Sequence, residues 1–200
     1  MIALPPSAER LWRHEPAGYR AGGALERLQA DLRPYDCERL SAGRLRLTLP
    51  QGPVLEVSER PQALFLAHIV SHRFCLGGDT SLTGSVRLTV RGAGWLRRRG
   101  VRYRTVRYRT VGDKAAARRI TEWLARYPQI GATLAQLDFR HAQLTLAAGR
   151  WQFSVEHFAA CEVVSRLPPG RRYLRLTAAQ RCLLLSACLM VAQLMEKMND

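Results

Sequence analysis

The chain alternates between two hydrophobic periods and ends in a pattern that fits neither. From about Gly18 to Arg33 the apolar positions Leu25, Leu28 and Leu32 fall three and four apart, which predicts an amphipathic helix ended by Pro34. The period then drops to two. In R-L-R-L-T-L, Leu45, Leu47 and Leu49 face one way while Arg44, Arg46 and Thr48 face the other; P-Q-G-P turns the chain, and Val54 to Glu59 returns with Leu55 and Val57 inward. This predicts a hairpin with Arg46 and Glu56 paired across its wet face. Gln62 to Leu76 is apolar on both faces and fits a central strand or a short helix; its β-branched and aromatic residues favour the strand. Leu82, Val86, Leu88 and Val90 then alternate with Thr83, Ser85, Arg87, Thr89 and Arg91 as a half-buried strand.

The helical period returns after Asp113, a cap residue, with Ala116, Ile120, Trp123, Leu124 and Tyr127 on one face; Pro128 breaks the run, and a shorter helical piece continues to Leu137. A second hairpin follows, Ala142, Leu144 and Leu146 against Trp151, Phe153 and Val155 about the turn A-A-G-R. Pro168, Pro169 and Gly170 turn the chain into a short strand, Arg171 to Leu176. Thr177 and Gln180 then form the signature of a capping box, opening a helix that is apolar almost all round: only Ser186 and Gln193 leave a polar stripe. Its apolar run from Cys182 to Ala192 is eleven residues, short of the roughly 18 that a membrane span needs. This helix is expected to be the core.

The two hairpins coincide at an offset of 97 residues: Leu47 and Leu49 with Leu144 and Leu146, Gly52 with Gly149, Glu59 with Glu156. An ancient duplication into two halves leaves this pattern, although short alternating strands also match by chance. The order of elements predicts an α+β fold: a curved antiparallel sheet built from hairpins and packed on a buried apolar C-terminal helix, with a pseudo-repeat of two halves. Residues 1–17 read as an N-terminal extension and 18–200 as a single α+β domain.

Composition changes this picture in one respect. The hydrophobic fraction of 47% is that of an ordinary soluble protein, but the formal charge of +15 and pI of about 10.9 are not. Such a charge draws polyanions, nucleic acid or an anionic membrane surface. Against this, 29 of the 31 basic residues are arginine, a ratio that GC-rich codon usage produces unaided. The five cysteines (Cys37, Cys75, Cys161, Cys182, Cys188) are odd in number, form no C-x-x-C pair and follow no signal-peptide pattern, so reduced thiols in a cytoplasm are expected.

The densest candidate site is the run Arg97, Arg98, Arg99, Arg102, Tyr103, Arg104, Arg107, Tyr108 and Arg109, where V-R-Y-R-T occurs twice in tandem. Arginine forks grip phosphate and tyrosine stacks on bases. Five is odd, so on a strand the second copy reverses faces; one basic face requires a bulge or turn near Thr105. A solvated edge strand with arginine stems over apolar surface is the competing reading. Glu162, an acid among apolar residues, needs a cation, and Arg166, Arg171, Arg172 or Arg175 could supply it as a buried ion pair or as the rim of a pocket. His68 and His72, spaced H-x-x-x-H, lack the glutamate of the zinc-protease pattern, and His157 with Cys161 repeats only the spacing. Nothing calls for a metal or another cofactor, and no nucleophile, base and orienter assemble.

The stretch A-C-E-V-V-S-R-L-P-P-G-R-R-Y-L-R-L, Ala160 to Leu176, resembles a segment of a bacterial protein family of unknown function. The resemblance implies a bacterial cytoplasmic origin and no assigned activity. The expectation is therefore a non-enzymatic protein whose arginine-rich surface binds a polyanion. The alternative is a pocket protein of helix-grip type, its sheet closing on the apolar helix around a small hydrophobic ligand.

Overall fold

A computed structural model describes residues 16, 18–50, 52–98 and 101–199, with the backbone alone for 93–98 and 101–105. The N-terminal extension and Arg99 lie outside the described residues, save Pro16. Among the described residues there are four helices: α1 (Gly23–Asp31), α2 (Lys114–Arg126), α3 (Pro128–Gln136) and α4 (Ala178–Asn199). The strands are β1 (Asp36–Ser41), β2 (Arg44–Thr48), β3 (Val54–Ala63), β4 (Ala67–Asp79), β5 (Val86–Arg98), β6 (Val101–Gly112), β7 (Phe139–Ala147), β8 (Arg150–His157), β9 (Cys161–Arg166) and β10 (Pro169–Leu174). The fold is α+β, a curved antiparallel sheet that does not close, with the apolar C-terminal helix buried against it.

The sheet runs β1-β2-β3-β4-β8-β7-β5-β6, and β9 and β10 form a hairpin on the first part of β4. Both β8 and β9 lie along the same edge of β4: Arg73 to Asp79 pair with β8, and Ala67 to Val70 pair with β9. Residues 157–161 leave the ladder between them, opposite Ser71 and His72.

Alternation sorts the sheet into two faces. Leu45, Leu47, Leu55, Val57, Phe74, Leu76, Leu88, Leu144 and Phe153 point to one face and form the core with Leu28, Ile120, Leu134 and the helix α4. The sidedness of α4 follows its sequence: nine side chains from Leu184 to Met198 are buried, and Ser186 and Gln193 stand on its exposed stripe. Its capping box forms as expected, with the Thr177 amide donating to Gln180 Oε1 at 3.1 Å and the Gln180 amide to Thr177 Oγ1 at 3.3 Å. By length and hydropathy alone the full 22-residue helix matches a membrane span, a match that the eleven-residue run understates; 44% of its most apolar window is buried within the fold. Asp113 caps α2 through the Ala116 amide at 2.8 Å, and Pro128 opens α3 at a position where its missing N–H costs nothing.

Four expectations need correction. The helix expected from Gly18 begins at Gly23, because Gly22 is left-handed (φ 96°) and the carboxylate of Glu59 captures the amides of Gly22 and Leu25. The run Gln62 to Leu76 is not one strand: β3 extends to Ala63, Leu64 to Leu66 turn, and β4 begins at Ala67. Strands β1 and β9 had no signal in the alternation, since β1 is almost wholly exposed and β9 buries its first two residues in succession. Finally, Arg46 and Glu56 are opposite in register, but Arg46 bonds Glu38 of β1 at 2.9 Å and Glu56 takes Arg44 at 3.4 Å.

Candidate functional site

All four helices pack on the apolar face of the sheet. The opposite face is a polar surface whose composition changes along the strand order. On β1 to β4 and β8 four of its arginines are matched by acids: Arg46 with Glu38, Arg44 with Glu56, Arg73 with Glu156 at 2.7 Å, Arg150 with Asp79 at 3.6 Å; Arg60 of β3 has no ion pair among the described residues. An open groove of about 520 Å³ lies over this half, lined by Leu40, Arg46, Val54, Cys75, Thr145 and Gln152 among others. On β5 and β6 no such matching occurs among the described side chains. Register sets Arg91 opposite Arg107 and Thr89 opposite Arg109, with Arg87 opposite Val111 and, on the other side, Thr145. Arg87, Arg91, Arg107 and Arg109 are exposed and have no ion-pair partner among the described residues. From Thr80 to Gly112 the sequence holds nine arginines and not one acid.

The irregularity expected near Thr105 is present, but on the partner strand. Ala93 pairs with Thr105 and Trp95 with Arg104, so Gly94 of β5 is the extra residue. Strand β6 therefore keeps its own alternation: Arg107 and Arg109 are exposed while Val106 and Tyr108 pack on the core. Tyr108 reaches α3, where a Cβ on Gly131 would lie 3.1 Å from its hydroxyl oxygen. Burial pushes its pKa above the ordinary tyrosine value. Its ring is thus separated from the arginines that flank it in sequence. Arg97 and Arg98 end β5, and Arg102, Tyr103 and Arg104 lie near the start of β6.

Glu162 is buried and paired, but only partly by the predicted arginines. Arg171 reaches it at 3.7 Å, and Arg27 of α1 at 3.3 Å. Arg172 pairs with Val163 in the ladder and so projects to the other face. Arg175 instead holds Asp31 at 3.1 Å, and that carboxylate also accepts from the Leu176 amide at 2.9 Å. The Arg27 contact had no signal in the chain, because it depends on where α1 docks. His68 and His72 are both buried on the apolar face, but on a strand rather than a helix. Four residues of strand separate them by about 13 Å, too far to share one ion. No group of three His, Cys, Asp or Glu side chains suited to a metal occurs among the described residues, and all five cysteines are free.

A family model described as a protein of unknown function (DUF3156) matches residues 30–195. The chain belongs to the DUF3156 family. No curated protein and no solved structure matches it. The matched span of this DUF3156 chain takes in the whole described sheet, the arginine face, Glu162 with Arg171 but not Arg27, and all but the last residues of α4.

A ligand-pocket reading needs space between sheet and helices. The cavity lined by Leu88, Val90, Tyr108, Phe153, Val191 and Leu194, among others, holds about 10 Å³. Sites for small molecules usually enclose about 300 Å³ or more.

Proposed function

We propose that this protein acts by binding rather than by catalysis, and that the β5–β6 part of its helix-free face binds a phosphate-rich polyanion. The observation that carries the reading is the contrast in pairing: on β1 to β4 and β8, Arg44, Arg46, Arg73 and Arg150 each meet an acid and Arg60 alone on that face does not, whereas Arg87, Arg91, Arg107 and Arg109 meet none among the described residues. Unpaired guanidinium groups at adjacent register positions sum their fields and offer bidentate donors that nothing else consumes. The reading extends the predicted arginine run backwards to Arg87 and Arg91, and leaves Tyr108 out of the contact surface.

The test is a salt titration of binding to single-stranded DNA. Log affinity should fall linearly with log salt concentration, and replacing the four arginines with glutamine should remove about three units of slope. A flat plot, or an unchanged slope in the quadruple variant, overturns the reading. A parallel titration on vesicles carrying anionic lipid tells nucleic-acid phosphate from lipid headgroups.

A further inference from the structure

The end of the sheet at which β3 turns into β4 carries a second surface, built from different residues. The turn Leu64–Phe65–Leu66 exposes three apolar side chains, 44%, 92% and 44% accessible. Beside it lies the β9–β10 turn, whose Leu167 is 71% accessible. The Arg166 amide donates to the Leu66 carbonyl at 2.8 Å, and Ala67 pairs with Ser165, so the two tips form one continuous projection rather than scattered exposures. Soluble proteins expose single apolar residues routinely; a cluster at the tips of two adjacent hairpins, rimmed by charge, marks a docking surface.

The rim says what docks. Arg166 and Arg172 are exposed, without ion-pair partners among the described residues, and Arg140 bridges to Gln62 of β3 at 2.8 Å. No acidic residue occurs from Arg60 to Gly78 or from Val163 to Met195, and the flanking acids Glu59 and Glu162 are buried. An apolar tip with arginine at its rim and no carboxylate in either turn complements a surface that is hydrocarbon below and anionic above. Strand direction adds to this: β4 runs away from the tips, β8 toward them, β7 away and β5 toward, so β5 ends and β6 begins on the same side of the sheet.

We infer that Leu64, Phe65, Leu66 and Leu167 insert into the interfacial layer of an anionic lipid surface while Arg166 and Arg172 contact its headgroups. The inference rests on the polyanion reading for long-range attraction, and on the tips alone for insertion. The probes are vesicles of phosphatidylcholine with and without phosphatidylserine, read by co-sedimentation, with single-stranded DNA as the soluble comparison. Wild-type protein should partition to the anionic vesicles, and Phe65→Ser with Leu167→Ser should lower that partition at least about tenfold while leaving DNA binding unchanged. Both positions are exposed, so the fold does not depend on them. A double variant that sediments like wild type overturns insertion and leaves the arginine reading standing. DNA binding without vesicle binding overturns the lipid assignment; binding to neither removes both readings. A double variant that instead lowers the oligomeric state in analytical ultracentrifugation assigns the tips to self-association and overturns the inference.

Discussion

The hairpins β2–β3 and β7–β8 look like copies in the sequence and diverge in the structure after a single residue. Their first strands coincide at an offset of 97, Leu45, Leu47 and Leu49 matching Ala142, Leu144 and Leu146 on the apolar face. Their second strands coincide at 98: Leu47 pairs with Leu55, and Leu144 pairs with Phe153. One residue reverses every side chain on a strand. Glu59 therefore points into the core side and Glu156 to the helix-free face, although each is only 8% exposed. The counterpart of Glu59 by pairing is His157, also buried on the core side.

The two carboxylates consequently do unlike things. Glu59 receives the Tyr19 hydroxyl at 2.6 Å, the Gly22 amide at 2.8 Å and the Leu25 amide at 3.0 Å, closing the N-terminus of α1 from a remote strand. Glu156 holds Arg73 within the paired half of the polar face. Each has a histidine neighbour, His72 with Nε2 at 3.9 Å from Glu59 Oε1, and His141 opposite Glu156 in the ladder. Burial lowers the pKa of both, and wins over the raising effect of the adjacent glutamate.

The largest expected effect breaks the first member of this comparison. Glu59→Ala strands two buried amides and a hydroxyl and should cost about 2–4 kcal/mol in urea unfolding; a loss no greater than that of Glu156→Ala would show that α1 does not depend on the remote carboxylate. Glu156→Gln leaves Arg73 half-paired beside Arg60, and a loss of about 1–2 kcal/mol is expected. Acidification sharpens the histidine pair. Their folded pKa values lie below the ordinary 6.5, so the unfolded chain takes protons that the folded chain refuses as pH falls below that value. Stability should thus be complete above about pH 6.5 and decline below it, and His72→Gln with His141→Gln should flatten that slope in a series of thermal melts. The smallest effect concerns the turn. Ala148 and Gly149 have φ of 52° and 72°, the signs a two-residue type I′ turn requires, and alanine occupies the first position under strain. Ala148→Asn should raise stability by about 0.5–1 kcal/mol; an unchanged midpoint would show that the turn carries no such strain.

Much of what depends on near neighbours in the chain was readable in it, although the local hairpins β1–β2 and β9–β10 were not, because their burial does not alternate. The capping box at Thr177, the Asp113 cap, the hairpins β2–β3 and β7–β8 and the thin polar stripe of α4 all arise from spacings of two, three or four residues, and the structure keeps each of them. The arginine run was visible for the same reason, and the absence of any acid from Thr80 to Gly112 was a signal that would have added Arg87 and Arg91. Only the tertiary structure decided which strands are neighbours across long loops: β4 beside β8 and β9, β5 beside β7. From that followed the partners Arg27–Glu162 and Arg175–Asp31, the remote cap by Glu59, and the meeting of two apolar tips about 100 residues apart. A strand's own alternation states which residues share a face. It does not state which face is covered, since that is settled by pairing energies summed over the whole sheet.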